Sequence, residues 1–214
     1  MLKFEVIPVT QFAQNCSLIW CDETSQAALV DPGGEADKLL AAIAKRGLTL
    51  THILLTHGHL DDVGAAAELR ERTGVAITGP HKEDAFWLDM LPQQSQMFGF
   101  AHTPAFCPDQ WLKQGDKVQL GHCELEVYFC PGHTPGHIVL LCQAERLAWV
   151  GDVLFAGSIG RTDFPRGDHA TLIKSITETL LPLGDDIVFV PGHGPSSTLG
   201  RERVSNPYLT QPIW

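Results

Sequence analysis

The 214-residue sequence predicts an α/β fold in which a two-layer sheet core carries helices on its outer faces. Short apolar and β-branched runs recur along the chain between turn residues, as is typical of strands. Only a few longer segments show the apolar periodicity of an amphipathic helix. A hydrophobic content of 44% can fill a sizeable core, so we expect residues 1–214 to form one domain with a short extended C-terminal tail.

The N-terminal half of the chain predicts strands separated by two helices. Apolar residues on one face indicate a helix over 35–46, and Gly47 follows it as a C-terminal cap. A second helix is predicted over 64–73 and ends at Gly74. The strands are predicted at residues 4–9, 16–20, 27–30, 53–55 and 75–78.

The C-terminal half predicts more strands and one further helix, which Asp168 caps at its N-terminus. The strands are predicted at 118–120, 125–130, 138–142, 147–150 and 187–190, of which the last is the final strand of the chain. Pro207 and Pro212 predict an extended tail over 206–214. Residues 81–110 lack sustained periodicity and form either a flap over a pocket or a plain surface excursion.

Charge and composition argue against several classes of protein. A formal net charge of −10 disfavours a nucleic-acid partner, whose surface needs a basic stripe. No apolar run approaches the roughly 18 residues of a membrane span. The N-terminus lacks the pattern of a secretion signal, so we expect a cytoplasmic protein. The acidic surface predicts nothing about oligomeric state.

The six cysteines predict no disulfide framework, because no secretion signal accompanies them and the chain is long enough to fold without cross-links. No C-x-x-C pair occurs. Most of the cysteines lie in or beside apolar runs, where a free thiol behaves as a small hydrophobic group. Cys130 is the least secure in this interpretation, since it directly precedes a histidine-rich loop.

Polar loops follow four of the predicted strands, at residues 56–62, 131–137, 151–152 and 191–194. Strand ends are rigid and glycine lets the backbone turn sharply, so such loops can direct several side chains at one point. The candidate metal ligands in them are His57, His59, Asp61, Asp62, His133, Asp152 and His193. This number exceeds the four ligands of one tetrahedral site and suits two metal ions that share a bridging carboxylate and a bridging water.

The ligand types also indicate which metals to expect. Imidazole and carboxylate suit zinc, iron or manganese, and no thiolate lies in these loops. His137 enters the following strand, so we favour packing or a hydrogen bond to a ligand over direct metal binding. The remaining histidines are interpreted as surface or structural residues: His52, His81, His102, His122 and His169.

These loops, in their order and spacing, resemble the metallo-β-lactamase superfamily over nearly the whole chain. The motifs are Thr56-His57-Gly58-His59-Leu60-Asp61, Pro131-Gly132-His133-Thr134-Pro135-Gly136-His137, Gly151-Asp152 and Gly192-His193-Gly194. Within the superfamily the chain is most similar to the short bacterial glyoxalase II-like thioesterases, as Gly194-Pro195 and Gly157-Ser158-Ile159-Gly160-Arg161 indicate. The resemblance implies an αββα sandwich with the metals at one edge, between the two sheets.

The resemblance also implies how the ligands divide. His57, His59 and His133 would hold the first metal, Asp152 would bridge, and Asp61 and His193 would hold the second. The family motif ends Asp-His, whereas Asp62 occupies the last position here. A second site rich in oxygen donors should prefer manganese or iron to zinc. We therefore expect one or two zinc ions, with iron or manganese possible at a second site that is altered or empty.

The activity implied by the resemblance is hydrolysis of a thioester, such as the acyl-glutathione S-lactoylglutathione, by water that a metal activates. Asp61 is the predicted catalytic residue, since it can hold that water in line. No general acid is evident among the matched positions. This favours a thiolate leaving group, which has a pKa of roughly 8.5 and can depart unprotonated, over a lactam nitrogen. Arg161 matches a family position that contacts a glutathione carboxylate. The alternative interpretation is that Arg161 is a solvated loop residue with no role in binding. Asp163 stands where many relatives have tyrosine, which predicts loose binding of glutathione.

Two other functions are compatible with these residues. A persulfide dioxygenase of the same superfamily uses one iron, which His57, His133 and Asp152 could hold, and a weakened second site would fit it. The second alternative is a metal-binding relative that has lost its catalytic activity because Asp62 replaces the histidine of the motif. Oxygen uptake with glutathione persulfide identifies the first, and inactivity with every metal identifies the second.

Overall fold

The computed structural model describes residues 1–211, which form two large β-sheets packed face to face with helices on both outer faces, together with a small two-stranded sheet. The strands are β1 (Leu2–Val9), β2 (Gln14–Cys21), β3 (Gln26–Val30), β4 (Thr49–Leu54), β5 (Ile77–Thr78), β6 (Lys117–Leu120), β7 (Cys123–Phe129), β8 (Ile138–Cys142), β9 (Leu147–Gly151), β10 (Leu154–Phe155), β11 (Ser158–Ile159), β12 (Val188–Pro191) and β13 (Ser197–Thr198). The helices are α1 (Ala36–Lys45), α2 (Leu60–Val63), α3 (Ala66–Thr73), α4 (Ala85–Asp89), α5 (Leu91–Phe98), α6 (His169–Lys174), α7 (Leu199–Ser205) and α8 (Pro207–Thr210). A π-helical segment, Ser175–Leu180, continues α6, and short 3₁₀ helices lie at Lys82–Asp84 and Leu181–Leu183.

The first sheet has the order β1-β2-β3-β4-β5, and the second has the order β13-β12-β9-β8-β7-β6. Strands β1 to β3 pair antiparallel, whereas β4 and β5 continue the first sheet in parallel. In the second sheet β12 runs parallel to β9, so both of these strands end at the same edge. The predicted α/β class and the αββα arrangement are confirmed.

The two-residue period of a strand explains the layers. On β2, Leu18 points to the outer cluster that contains Leu39 of α1, while the next residue, Ile19, points into the cluster between the sheets. On β8, Leu140 lies between the sheets and Leu141 lies in the outer cluster beneath α6. Strands that are apolar at every position are therefore buried on both faces.

The C-terminal region differs from the prediction. The strand at 188–191 is followed by β13 and α7, so it is not the last, and Pro207 begins the helical turn α8 where an extended tail was expected. Proline is compatible with the first helical position, because the N–H that it lacks has no partner there. The Asn206 side chain caps this turn by accepting from the Tyr208 N–H at 3.0 Å. Pro212 lies outside the described residues.

Two segments are more helical than predicted. Residues 64–73 were expected to form one helix, but α2 begins four residues earlier, at Leu60, and α3 follows it after a break. Within 81–110, α4 and α5 form a cover over a cavity, as in the flap interpretation. Pro92 lies in the first turn of α5, which again leaves the helix intact.

The cysteines are unpaired in the described part of the chain, and all are buried except Cys107. Cys130 packs in the outer cluster of the second sheet, where burial raises the pKa of its thiol. It thus behaves as a small apolar residue. No helix within residues 1–211 is long and apolar enough to cross a membrane.

Candidate metal centre

The four histidine and aspartate loops converge at one edge of the sandwich. Each follows a strand of one of the two large sheets (β4, β7, β9 or β12), so a rigid backbone holds its side chains toward the same point. Within residues 1–211, ligand-type atoms that lie within 4.8 Å of one another form two adjacent groups, His57, His59 and His133 on one side and Asp61, Asp62 and His193 on the other. A third group, Asp31, His57 and Asp62, takes one member from each of these two.

Asp152 lies between the two groups. Its Oδ2 is 3.6 Å from Nε2 of His57 and 3.5 Å from Nε2 of His133. The same oxygen is 3.6 Å from Nε2 of His193, which belongs to the other group. One carboxylate is therefore in reach of both positions, which is the geometry that a bridging ligand needs.

The histidines of the first group are held so that Nε2 faces the centre. His133 Nδ1 lies 2.7 Å from the carbonyl oxygen of Arg161, to which it donates. His57 Nδ1 lies 3.0 Å from the Thr56 hydroxyl, which itself donates to Asp31 at 2.7 Å. These contacts leave the Nε2 lone pairs of His57 and His133 for a metal ion.

Unsatisfied polar atoms show that a cation fits this centre. Burial of a polar atom without a partner costs about 1–3 kcal/mol, so several such atoms aimed at one point call for a ligand. Within residues 1–211, the buried atoms without a hydrogen-bond partner include Nε2 of His57, His59 and His133, Oδ2 of Asp62 and Oδ1 of Asp152. All of them are donors of the type that binds zinc, iron or manganese.

The charges of the centre point to the same conclusion. Burial, together with the neighbouring carboxylates of Asp152 and Asp61, raises the pKa of Asp62 well above its usual range. Burial opposes a charge on His193, but Asp152 and Asp61 outweigh it and raise the pKa of His193 to about 11. Three clustered carboxylates thus draw positive charge into the centre, and a divalent cation satisfies them all at once.

Asp62 occupies an intermediate place between the two groups. Its Oδ2 lies 3.1 Å from Nε2 of His57 without the alignment of a hydrogen bond. The other oxygen accepts from the Gln14 side chain at 3.3 Å. The shorter carboxylate side chain therefore contacts the first group as well as Asp61 and His193, and the predicted alteration of the second site stays a prediction.

His137 is buried against the ligands without joining either group, as the sequence interpretation favoured. Asp31 and Asp84, in contrast, were not predicted to support the site. Asp31 accepts from the Thr56 N–H at 2.8 Å and from its hydroxyl, so the turn that begins at Asp31 braces the first histidine loop. In the sequence, Asp31 is recognisable only as the first residue of a turn, which does not indicate a contact with the histidine loop.

Asp84 joins two of the ligand loops. Its carboxylate accepts from the Gly58 N–H at 2.8 Å, from the Gly136 N–H at 2.6 Å and from the Thr134 hydroxyl at 2.8 Å. A side chain at Gly136 would collide with the backbone at Asp84, which explains glycine at that position. Since the partners are distant in sequence and no pattern marks residue 84, this contact could not be predicted.

Arg161 lines the cavity at its exposed mouth. Its guanidinium, however, is held by Asp163 in a bidentate pair with both distances at 2.7 Å, and it stacks 3.9 Å above the ring of Phe164. This pair lowers the pKa of Asp163 to about 2. The predicted contact with a glutathione carboxylate stays a prediction.

A cavity of about 490 Å³ opens onto the ligands. Trp87 of α4 packs edge-on against the His59 ring at 4.5 Å between centroids, and so closes one side of the centre. The other histidines lie elsewhere: His102, His122 and His169 are exposed, while His52 and His81 are half-buried. Among these, His122 pairs with Glu23 at 2.8 Å.

Comparison with known proteins agrees with this architecture. The chain is 52% identical over 209 residues to hydroxyacylglutathione hydrolase GloC of Haemophilus influenzae, which covers 97% of this chain and 98% of that protein. The crystal structure of BLEG-1 B3 metallo-β-lactamase matches with a TM-score of 0.90 at 35% identity, covering 98% of this chain and 100% of that one. The structure of TTHA1623 in a di-iron-bound form matches with a TM-score of 0.87 at 34% identity, covering 96% and 100%.

The family model of the metallo-beta-lactamase superfamily matches residues 9–193, a span that begins in β1 and ends at His193. All seven candidate metal ligands fall within it. The chain therefore belongs to the metallo-β-lactamase superfamily and is a metal-dependent hydrolase.

Proposed function

We propose that this hydrolase cleaves a thioester, specifically an acyl-glutathione such as S-lactoylglutathione. The observation that carries the proposal is the 52% identity to a protein named hydroxyacylglutathione hydrolase, over 97% of this chain. The open cavity beside the convergent ligands supports it, because a small-molecule ester needs such access.

A metal ion in this centre would supply a nucleophilic water at neutral pH and polarise the carbonyl group. The first ion would be held by His57, His59 and His133, with Asp152 shared between positions. Asp61 is the proposed catalytic residue: its Oδ2 lies 3.0 Å from His193 Nε2, and its side chain lines the cavity, where it can accept a proton from water. A thiolate leaves without needing a proton, so no further acid is required.

We propose zinc at the first position, which has three imidazole ligands. The second position, with Asp61, Asp62, Asp152 and His193, offers mainly oxygen and suits iron or manganese. One relative is a di-iron-bound protein, which supports iron as a candidate. Elemental analysis of the protein purified without chelators measures both metals.

The test is release of free thiol from S-lactoylglutathione by the purified protein, with the metal-stripped protein and its zinc, iron and manganese reconstitutions in parallel. Metal-dependent thiol release supports the proposal. Oxygen uptake with glutathione persulfide, in place of thiol release, would identify a persulfide dioxygenase. Inactivity with all three metals on both substrates would identify a relative that has lost catalysis.

A β-lactam is the second candidate substrate, because BLEG-1, a B3 metallo-β-lactamase, is 35% identical to this chain. A chromogenic cephalosporin added to the same reconstituted protein distinguishes it. We expect the thioester to be hydrolysed faster, since a lactam nitrogen leaves poorly without an acid.

A further inference from the structure

The cavity beside the metal centre is walled by aromatic side chains from separate segments of the chain. Phe12 lies in the turn between β1 and β2, Phe98 ends α5, and Phe164 lies in the loop after β11. Their rings meet edge to face, with centroids 6.2 Å apart from Phe12 to Phe98 and 6.2 Å apart from Phe98 to Phe164. Contacts between three segments make this wall part of the fold.

Polar groups are few in the same cavity once the metal ligands are set aside. Arg161 is the one cation among the described residues that line it, and Asp163 already pairs with it. The Gln94 side chain is committed to the Leu60 N–H at 2.9 Å and to the Trp87 carbonyl at 2.8 Å. The two carboxylates of a glutathione carrier therefore find no free cation in this wall.

We propose that this cavity receives the acyl group of the thioester, and that the preferred acyl group is apolar, of the size of hexanoyl or phenylacetyl, rather than lactoyl. The inference rests on the proposed thioesterase function. A cavity of about 490 Å³ leaves much of its apolar wall unfilled when it holds a three-carbon acyl group. The lactoyl hydroxyl would also lose its water against aromatic carbon, which costs free energy unless a partner replaces it.

The size of the effect follows from burial. Each methylene moved from water to an apolar wall is worth about fourfold in kcat/KM. We expect S-hexanoylglutathione to exceed S-butyrylglutathione by about 15-fold, which corresponds to two methylenes. S-Phenylacetylglutathione should likewise exceed S-lactoylglutathione. A series in which S-lactoylglutathione equals or surpasses the apolar thioesters would overturn the inference.

A binding measurement separates this inference from the proposed function. The thioethers S-methylglutathione and S-hexylglutathione have no scissile bond, and calorimetry with the metal-loaded protein measures their affinities. Tighter binding of the hexyl compound supports an apolar acyl site, even if no thioester is hydrolysed and the proposed function fails. Equal affinities contradict the inference, even if S-lactoylglutathione is hydrolysed.

Two wall residues provide variants that should fold. The Met97 side chain lines the cavity and is 72% exposed, so Met97→Ser removes little buried area. Phe12 also lines the cavity but is 45% exposed and packs on Phe98, so Phe12→Ser is paired with thermal unfolding to show that it folds. We expect each to lower the ratio of hexanoyl to lactoyl kcat/KM several-fold. Val204→Ser is the matched control, because Val204 is 75% exposed on α7 and does not line the cavity. An unchanged ratio in both wall variants would count against the proposal.

Discussion

The backbone N–H of Asp152 donates a hydrogen bond to the ring of His137, with 3.1 Å between the amide nitrogen and Nε2. The other ring nitrogen, Nδ1, donates to the carbonyl oxygen of Ile138 at 2.9 Å, which fixes the tautomer. The same ring stacks on His57 with 4.5 Å between centroids. His137 therefore positions one carboxylate and one imidazole of the metal centre while both of its nitrogens are already engaged.

Replacement of His137 by phenylalanine should weaken metal binding. The ring stack on His57 is kept, but the Asp152 amide loses its acceptor in a buried place. We expect metal affinity to fall about 10- to 100-fold, as for other residues that orient ligands. Chelator competition measures the affinity, and His122→Phe serves as a control at an exposed histidine. Parental affinity in His137→Phe would show that the hydrogen bond does not position Asp152.

Asp84 is expected to stabilise both the fold and the metal centre. In Asp84→Asn, one of the three donors from Gly58, Thr134 and Gly136 meets an amide N–H₂ in place of a carboxylate oxygen. Loss of a buried acceptor costs about 1–3 kcal/mol of unfolding free energy, or about 2–4 °C in Tm for each kcal/mol in a chain of this size. Thermal unfolding of the metal-free protein measures it.

A matched control exists on the same segment. Asp89 is exposed at the end of α4. Asp89→Asn should therefore change the free energy of unfolding by no more than about 0.5 kcal/mol and leave Tm close to that of the parent. If Asp84→Asn melts like Asp89→Asn, the loops are held by other contacts, and the buried carboxylate has no supporting role.

The layers and the ligand loops could be predicted because both depend on local pattern. Strands β8 and β9 are apolar at every position, and a histidine or aspartate follows the apolar run wherever a strand reaches the metal edge. His57, His133 and His193 are recognisable in the sequence for this reason. The spacing of residues within a loop is a property of the sequence alone.

Contacts between distant segments could not be predicted in this way. No pattern in the sequence marks Asp84, which contacts residues 58 and 136 only in the folded chain. The sequence likewise does not show whether Asp163 pairs with Arg161 or stays free. The prolines misled for a related reason. Pro207 was interpreted as a sign of extended chain, but it lies in the first turn of a helix, where proline fits, as does Pro92 in the segment without periodicity.

The pairing of Arg161 with Asp163 predicts a measurable effect on substrate binding. Asp163→Asn frees the guanidinium, so KM for a glutathione thioester should fall a few-fold with little change in kcat. Arg161→Gln should raise KM by a similar factor if the arginine contacts the carrier. Because the pair lies at the exposed mouth of the cavity, neither substitution should lower Tm. Unchanged KM in both variants would make Arg161 a solvated loop residue.

The pH dependence of this pair has a definite sign. The pKa of Asp163 is lowered to about 2, below its unfolded value of roughly 3.9, so the pair is fully formed above that value and is lost as pH falls through about 2. Across the usual assay range, about pH 5 to 9, the Asp163 carboxylate stays charged. The KM ratio of Asp163→Asn to the parent should therefore be flat across that range, and a steep change would place another titrating group at the mouth.

Asp62→His tests whether the carboxylate limits the second metal position. An imidazole reaches farther than a carboxylate and supplies a nitrogen donor, which zinc binds well, so we expect zinc to bind there more tightly even though one negative charge is lost. We expect the parent to hold about one zinc per chain and the variant about two, with second-site affinity raised at least about tenfold.

Metal content by elemental analysis and turnover of S-lactoylglutathione are measured on the same samples, with Asp62→Asn as the variant that removes charge without adding a nitrogen ligand. A gain in Asp62→His but not in Asp62→Asn assigns the effect to the imidazole. If the parent already holds two tightly bound zinc ions, Asp62 is a working ligand, and the prediction of an altered second site is wrong.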